Sequence, residues 1–199
     1  FHQITAPGRA GKLKKLYQSP FTLHRAVVEH IQREAEIART GRPARIIAKM
    51  NALIEVQTIK ALYEASVAGV KIELIVRGVC SLRPGVPGVS ENIQVRSVVG
   101  RFLEHTRVFY FHADGEERLY LSSADWMGRN FFNRIETAFP IEDKRLRARI
   151  KREALTNYLN DNTRAWVLNR DGSYTRAAAG GRTRKDAQAR LLEDLADPP

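Results

Sequence analysis

The stretch that most constrains this chain runs from Ala44 to Val76, where strand, helix and strand patterns follow in close succession. Ala44-Arg45-Ile46-Ile47-Ala48-Lys49 is a short apolar run with β-branched residues, as in a buried strand. From about Glu55 to Ala68, Val56, Ile59, Ala61, Leu62 and Ala65 recur at helical spacing, and Gly69 supplies a C-terminal stop. Val70 to Val76 is then a second strand. Such a unit predicts a parallel sheet with a right-handed crossover. Ligands of open sheets gather beyond the carboxyl ends of the strands, which puts Lys49-Met50-Asn51 and Arg77 at the edge where a site is expected.

The flanking sequence extends this unit into one mixed α/β domain. Ser19-Pro20 reads as a helix start, and Leu23, Val27, Ile31, Ala35 and Ala38 give a helix over 21–39, stopped by Gly41 and Pro43. Strand patterns recur at 93–98, 107–111, 118–122 and 136–141, with Asp114-Gly115 predicting a hairpin turn, and a further helix is predicted over 143–160. Residues 1–18, with Pro7, Gly8 and Gly11, read as a linker; 19–165 read as the domain. Residues 166–199 read as a peripheral, partly flexible tail with a turn at 171–173 and a helix near 186–195. No internal repeat is visible.

Charge narrows the partners. The 199 residues carry 33 Lys plus Arg against 22 Asp plus Glu, a net +11 that attracts polyanions. Nucleic acid, nucleotide phosphates, acidic lipid and inorganic polyphosphate all satisfy that field, and so does a basic surface kept for solubility. No apolar run approaches the roughly 20 residues a membrane-spanning helix needs. The opening Phe-His-Gln has no leader pattern and reads as an excised fragment whose preceding domains lie elsewhere. A single cysteine, Cys80, excludes an internal disulfide or multi-cysteine metal site, so a reducing compartment, the cytoplasm, is expected.

Within the predicted edge, the Gly- and Pro-rich loop 77–88 carries Arg77 and Arg83, whose guanidinium forks suit phosphate oxygens; solvated arginines on a surface loop fit the pattern equally. Glu104-His105-Thr106-Arg107 leads into an apolar strand, and His105 is the side chain best suited to proton exchange near neutral pH. His2, His24, His30 and His112 lack a comparable context and form no zinc spacing. Ser122-Ser123-Ala124-Asp125-Trp126 could converge on an anion. There Asp125 orients a histidine or arginine, or caps a helix, and Trp126 stacks on a base or fills the core. Cys80 reads as a packing residue.

Several segments together resemble the bacterial polyphosphate kinase family. They are Ala-Arg-Ile-Ile-Ala-Lys-Met-Asn at 44–51, Leu-Tyr-Glu-Ala-Ser at 62–66, Gly-Val-Lys-Ile-Glu-Leu-Ile-Val-Arg-Gly at 69–78 and Leu-Arg-Pro-Gly-Val-Pro-Gly at 82–88, followed by Ser-Glu-Asn-Ile at 90–93, Val-Gly-Arg-Phe-Leu-Glu-His at 99–105 and Ser-Ser-Ala-Asp-Trp-Met at 122–127. The resemblance runs to about residue 160. It implies a phospholipase D-like mixed sheet flanked by helices, with a small C-terminal appendage. It also implies reversible transfer of the ATP γ-phosphate to polyphosphate through a phosphohistidine.

By that resemblance Arg77 matches the nucleotide-phosphate arginine and His105 the second active-site histidine, an acid or base. His105-Thr106-Arg107 is similar to a weakened His-x-Lys, followed by the small-residue segment 122–125. The phosphorylated histidine, in a Phe-Pro-His type motif, and the magnesium-binding arginines belong to upstream domains. No metal ligand is therefore expected here, and this chain alone is expected to be inactive. Lys49, Arg83 and Arg129 are expected to line a polyphosphate channel. ATP, ADP, polyphosphate, the upstream domains and a second copy of the chain are the expected partners; nucleic acid is not, and peripheral membrane association stays open. The alternatives are a phospholipase D-type phosphodiesterase or nuclease, with two copies of His105 meeting in a dimer, and a basic nucleic-acid-binding module.

Overall fold

A computed structural model describes residues 13–196. Most of the expected linker, including Pro7, Gly8 and Gly11, and His2 lie outside the described residues. A nine-stranded mixed sheet forms the frame. Its strands are β1 (Tyr17–Gln18), β2 (Arg45–Met50), β3 (Lys71–Val76), β4 (Ile93–Val98), β5 (Val108–Phe111), β6 (Arg118–Ser122), β7 (Thr137–Pro140), β8 (Ala165–Leu168) and β9 (Tyr174–Arg176). The order is β1-β7-β6-β5-β2-β3-β4-β8-β9. Strands β2, β3 and β4 are parallel, in the register Met50 to Val76 and Leu74 to Val95, whereas β5 runs antiparallel to β2.

Helices cover both faces, which is why β2 and β3 are apolar on both sides. On one face α1 (Leu23–Arg39) and α2 (Val56–Val67) pack Leu23, Val27, Ile31, Ile59 and Leu62 against Ile46, Ala48, Met50, Ile72 and Leu74. On the other, α4 begins at Lys144–Ile150, winds as a π-helix through Lys151–Thr156, and ends in Asn157–Leu159. Its Leu155 and Tyr158 meet Ile47, Ile75, Val108 and Tyr110. Alternate residues of a strand thus serve two separate cores. The remaining helices are the short α3 (Gly128–Phe132) and α5 (Ala187–Ala196).

Three local features differ from the sequence reading. Ser19 does not cap α1, because it extends the β1–β7 pairing through a 2.9 Å bond from its N–H to Glu136 O; the chain then turns over Gln18 and enters the helix after Thr22. The β5–β6 connection is a wider loop than a tight turn, with Ala113, Asp114 and Gly115 all in the left-handed region. Residues 165–176 are part of the sheet, β8 pairing with β4 and β9 with β8. Asp161 secures this addition: its buried carboxylate accepts the N–H groups of Arg164 (2.7 Å), Ala165 (3.0 Å) and Ala187 (2.8 Å).

His30, 8% exposed, stacks on Phe111 at 4.9 Å and lies 5.0 Å from Tyr120. Burial, then Arg118 and Arg33, lower its pKa from 6.5 to about 4. A histidine held neutral in the fold contributes stability that is complete above its unfolded pKa and is lost as pH falls toward the folded value. The unfolding free energy from urea titrations is therefore expected to drop between about pH 6.5 and pH 4, by roughly 3 kcal/mol, and His30→Gln should flatten that dependence. An equal pH slope in both proteins would contradict this assignment.

Candidate functional site

The carboxyl ends of β2, β3 and β4, the start of β5 and the end of β6 meet at one edge, where bridges from Leu53 to Cys80 and to Trp126 knit the loops together. Arg77, the residue after β3, donates a hydrogen bond through Nη1 to the carbonyl oxygen of Glu104, and its own carbonyl accepts Ser97 Oγ at 2.8 Å. Two residues predicted separately, Arg77 and His105, are thereby brought to the same loop. The rest of the Arg77 guanidinium makes no hydrogen bond with the described residues.

His105 is exposed, and its orientation is set from behind. Arg107 Nη1 lies 3.0 Å from His105 Nδ1 and also donates to the His105 carbonyl at 3.0 Å. A guanidinium can only donate, so Nδ1 must accept, and the proton of the neutral ring sits on Nε2. Arg107 is held in turn by Asp125, through Nε to Oδ1 at 3.0 Å and Nη2 to Oδ2 at 2.9 Å. Asp125 Oδ1 also accepts the Asn51 backbone N–H at 2.7 Å. Burial pushes the Asp125 pKa up, but the bonds from Arg107 and Asn51 outweigh it and hold the carboxyl below its ordinary value. Of the two readings of Asp125, the structure supports orientation of an arginine; α3 begins after Met127 instead.

Glu104 forms a second cluster beneath the loop. Its carboxylate takes Lys49 Nζ at 2.5 Å and the Tyr158 hydroxyl at 2.7 Å, with the Lys49 ammonium 3.2 Å from the centre of the Tyr158 ring. Burial pushes the Lys49 pKa down against the pull of Glu104, and burial with the bond to Glu104 pushes that of Tyr158 up.

The structure separates the expected channel residues. Arg83 and Arg129 are exposed, whereas Lys49 is 6% exposed and committed to Glu104. It departs from the channel expectation because alternation along β2 turns it, like Ile47, toward the α4 core. Ser122 and Ser123 do not aim at an anion: their hydroxyls bond Thr137 O and Glu136. Trp126 is fully buried, 5.0 Å from Phe109, and offers no face to a base.

Glu104 is the contributor that sequence reasoning left without a role, and Arg107 enters that reasoning only as the last residue of a weakened His-x-Lys. Their signals were present: His105 and Arg107 are two apart on an extended segment and so share a side, and a lysine buried in a strand needs an acid. Among the described residues no group of three or more His, Cys, Asp or Glu could hold a metal. The carboxylates nearest the edge, Glu104 and Asp125, are consumed by cations of the chain itself. The site therefore does not fit a resident magnesium ion.

Comparison with known proteins places this geometry in a lineage. The family model for the polyphosphate kinase C-terminal domain 2 matches residues 16–188. A polyphosphate kinase of Neisseria meningitidis serogroup B is 60% identical over 189 residues, 94% of this chain and 28% of that protein. One from Pseudomonas putida is 55% identical over 199 residues, covering 100% of this chain and 27% of its own length. The crystal structure of polyphosphate kinase from Porphyromonas gingivalis superposes with a TM-score of 0.92 at 35% identity, covering 98% of this chain and 30% of that one. A phospholipase D family member from Salmonella typhimurium shares the fold alone, with a TM-score of 0.54 at 15% identity, covering 82% of this chain and 97% of its own. The chain thus spans a little over a quarter of the length of the curated relatives it matches.

Removing Asp125 would strand a buried guanidinium. Asp125→Ala is expected to cost about 3 kcal/mol at pH 7, read from urea denaturation. The folded pKa of Asp125 is depressed, so this contribution is present above the unfolded value and fades as pH falls through the folded one. The gap between Asp125→Ala and the parent should narrow in strong acid; a gap independent of pH would count against the ion pair.

Proposed function

This chain belongs to the polyphosphate kinase family, as its C-terminal domain, and on that premise we propose that it supplies one wall of a phosphoryl-transfer site. The substrates of that site are ATP and inorganic polyphosphate, and the histidine that carries the phosphoryl group lies on a preceding domain of the parent protein. Magnesium accompanies the nucleotide and is held by residues outside this chain. The observation that carries the reading is the shared loop: Arg77 grips the carbonyl of the residue before His105, which ties the two candidate residues to one segment.

Phosphoryl transfer demands positioning and positive charge on the equatorial oxygens more than covalent chemistry. The unused donors of Arg77 would hold those oxygens bidentately. His105, with its proton on Nε2, would donate to an oxygen on which charge accumulates, or accept a proton in the reverse direction. Arg107 and Asp125 keep the ring aimed. Arg83 and Arg129, with the net charge of +11, provide an approach for a polyanion. A phosphodiesterase reading rests on the fold alone. It is disfavoured because Arg107, standing where that resemblance asks for a free lysine, is locked on Asp125.

The test is polyphosphate synthesis from ATP and magnesium by the full-length parent protein and by this chain alone. Polymer is expected only from the full-length protein. His105→Ala there should lower kcat by about 100-fold or more with the fold intact, and Arg77→Ala should raise KM for ATP as well. Full activity in His105→Ala, or turnover of a phosphate ester by this chain alone, would sink the reading. Neutralising Arg83 and Arg129 together is expected to make polyphosphate binding less salt-dependent, measured by titration across ionic strengths.

A further inference from the structure

The loop of residues 99–107 carries His105 yet belongs to no strand, and Phe102 and Leu103 on it are exposed. Something other than sheet pairing must hold it. The hold comes from the tail. Gln188, on α5, accepts the Phe102 N–H through Oε1 at 3.0 Å and donates through Nε2 to the Phe102 carbonyl at 2.8 Å. The same Nε2 donates to Glu104 Oε1 at 2.6 Å, joining Lys49 and Tyr158 on that carboxylate. A side-chain amide carries both a donor and an acceptor, so this one residue satisfies both backbone groups of Phe102 and still has a proton for Glu104.

The glycine two residues before Phe102 shows how close the approach is. A Cβ on Gly100 would lie 2.2 Å from Gln188 Oε1 and 2.6 Å from its Cδ. Gly100 is needed there for space. Gln188 itself is anchored independently of the loop: the neighbouring Ala187 N–H goes to Asp161, its carbonyl accepts Asn157 Nδ2 at 2.8 Å, and the Gln188 N–H meets Asp186 Oδ1 at 3.1 Å.

From this geometry we propose that Gln188 is a positioning residue for His105, with Gly100 as the space that lets it act; the proposal rests on the role given to His105 above. The tail helix is then a working part of the site. Gln188 fixes Phe102 and Glu104, Glu104 offers its carbonyl to Arg77, and His105 follows directly in the chain. A loop released by one amide would still fold but would present the imidazole over a range of positions, and small misplacements of a reacting group cost rate heavily.

The experiment compares Gln188→Glu, Gln188→Ala, Gly100→Ala and the Gly100→Ala/Gln188→Ala double variant in the full-length protein. Gln188→Glu keeps the shape and loses the donors. Each single variant is expected to lower kcat for polyphosphate synthesis by about 10- to 100-fold, with KM for ATP within about twofold; Tm should change little in Gln188→Ala and Gly100→Ala and fall in Gln188→Glu, which sets a second carboxylate against Glu104. Hydrogen exchange of peptides spanning 99–106 should rise in each. Because Gly100 acts through Gln188, the double variant should be no slower than Gln188→Ala. Unchanged kcat and exchange in Gln188→Glu would overturn the proposal, as would losses that multiply in the double variant. Should His105→Ala prove fully active, the functional reading fails by itself, while the exchange data still report on the clamp.

Discussion

The Glu104 carboxylate is the interaction on which the functional edge depends. It collects Lys49 from the first parallel strand, the Tyr158 hydroxyl from the end of α4 and the Gln188 amide from the tail, while its backbone carbonyl takes Arg77. A buried ion pair of this kind adds little net stability, since desolvating both charges offsets most of their attraction. Its value lies in geometry. With every partner in place the carboxylate has one satisfied arrangement, and losing any partner leaves a half-buried charge short of hydrogen bonds. The loop that bears His105 inherits its position from that arrangement.

Above the loop, Asn51, Asp125, Arg107 and His105 form a second chain of bonds that settles which ring nitrogen faces outward. The two networks reach the histidine from opposite ends of the same short segment, one through Glu104 and one through Arg107. Together they resolve a conflict common to functional loops, which must stay at the surface to meet a ligand yet hold a side chain to within a fraction of an ångström. Here the rigidity is borrowed from the ends of β2, β3 and β6 and from both core-facing ends of the helices α4 and α5.

The parts of the fold legible in the residues are those whose pattern is local. Ile46, Ala48 and Met50 against Ile72 and Leu74, with the helical spacing of Ile59 and Leu62 between, identify the crossover unit, and the observed strands β2, β3 and β4 lie within a residue of the expected ones. Strands β8 and β9 escaped notice for the opposite reason. Trp166, Tyr174 and Arg176 are exposed on short outer strands, so their pattern is too brief and too polar to separate from a loop; they become strands because β8 pairs with β4 and β9 then closes on β8. At the site, Arg77 and His105 stood out from their places beside strand ends, whereas the direction of Lys49 depended on which face of β2 turned inward, and that of Glu104 on where its loop is held.

By itself, then, the sequence determined the crossover, the burial of its strands, the sheet edge at which the candidate site lies and the family to which the chain belongs. Each follows from periodicity or from contiguous motifs, information carried by residues close together in the chain. The tertiary structure alone decided that Lys49 is buried against Glu104 and that a glutamine near the end of the chain bonds the loop at Phe102. Those are pairings between residues as many as 86 positions apart. No local pattern encodes them, because a side chain's partner is set by where the sheet and its helices place the other backbone.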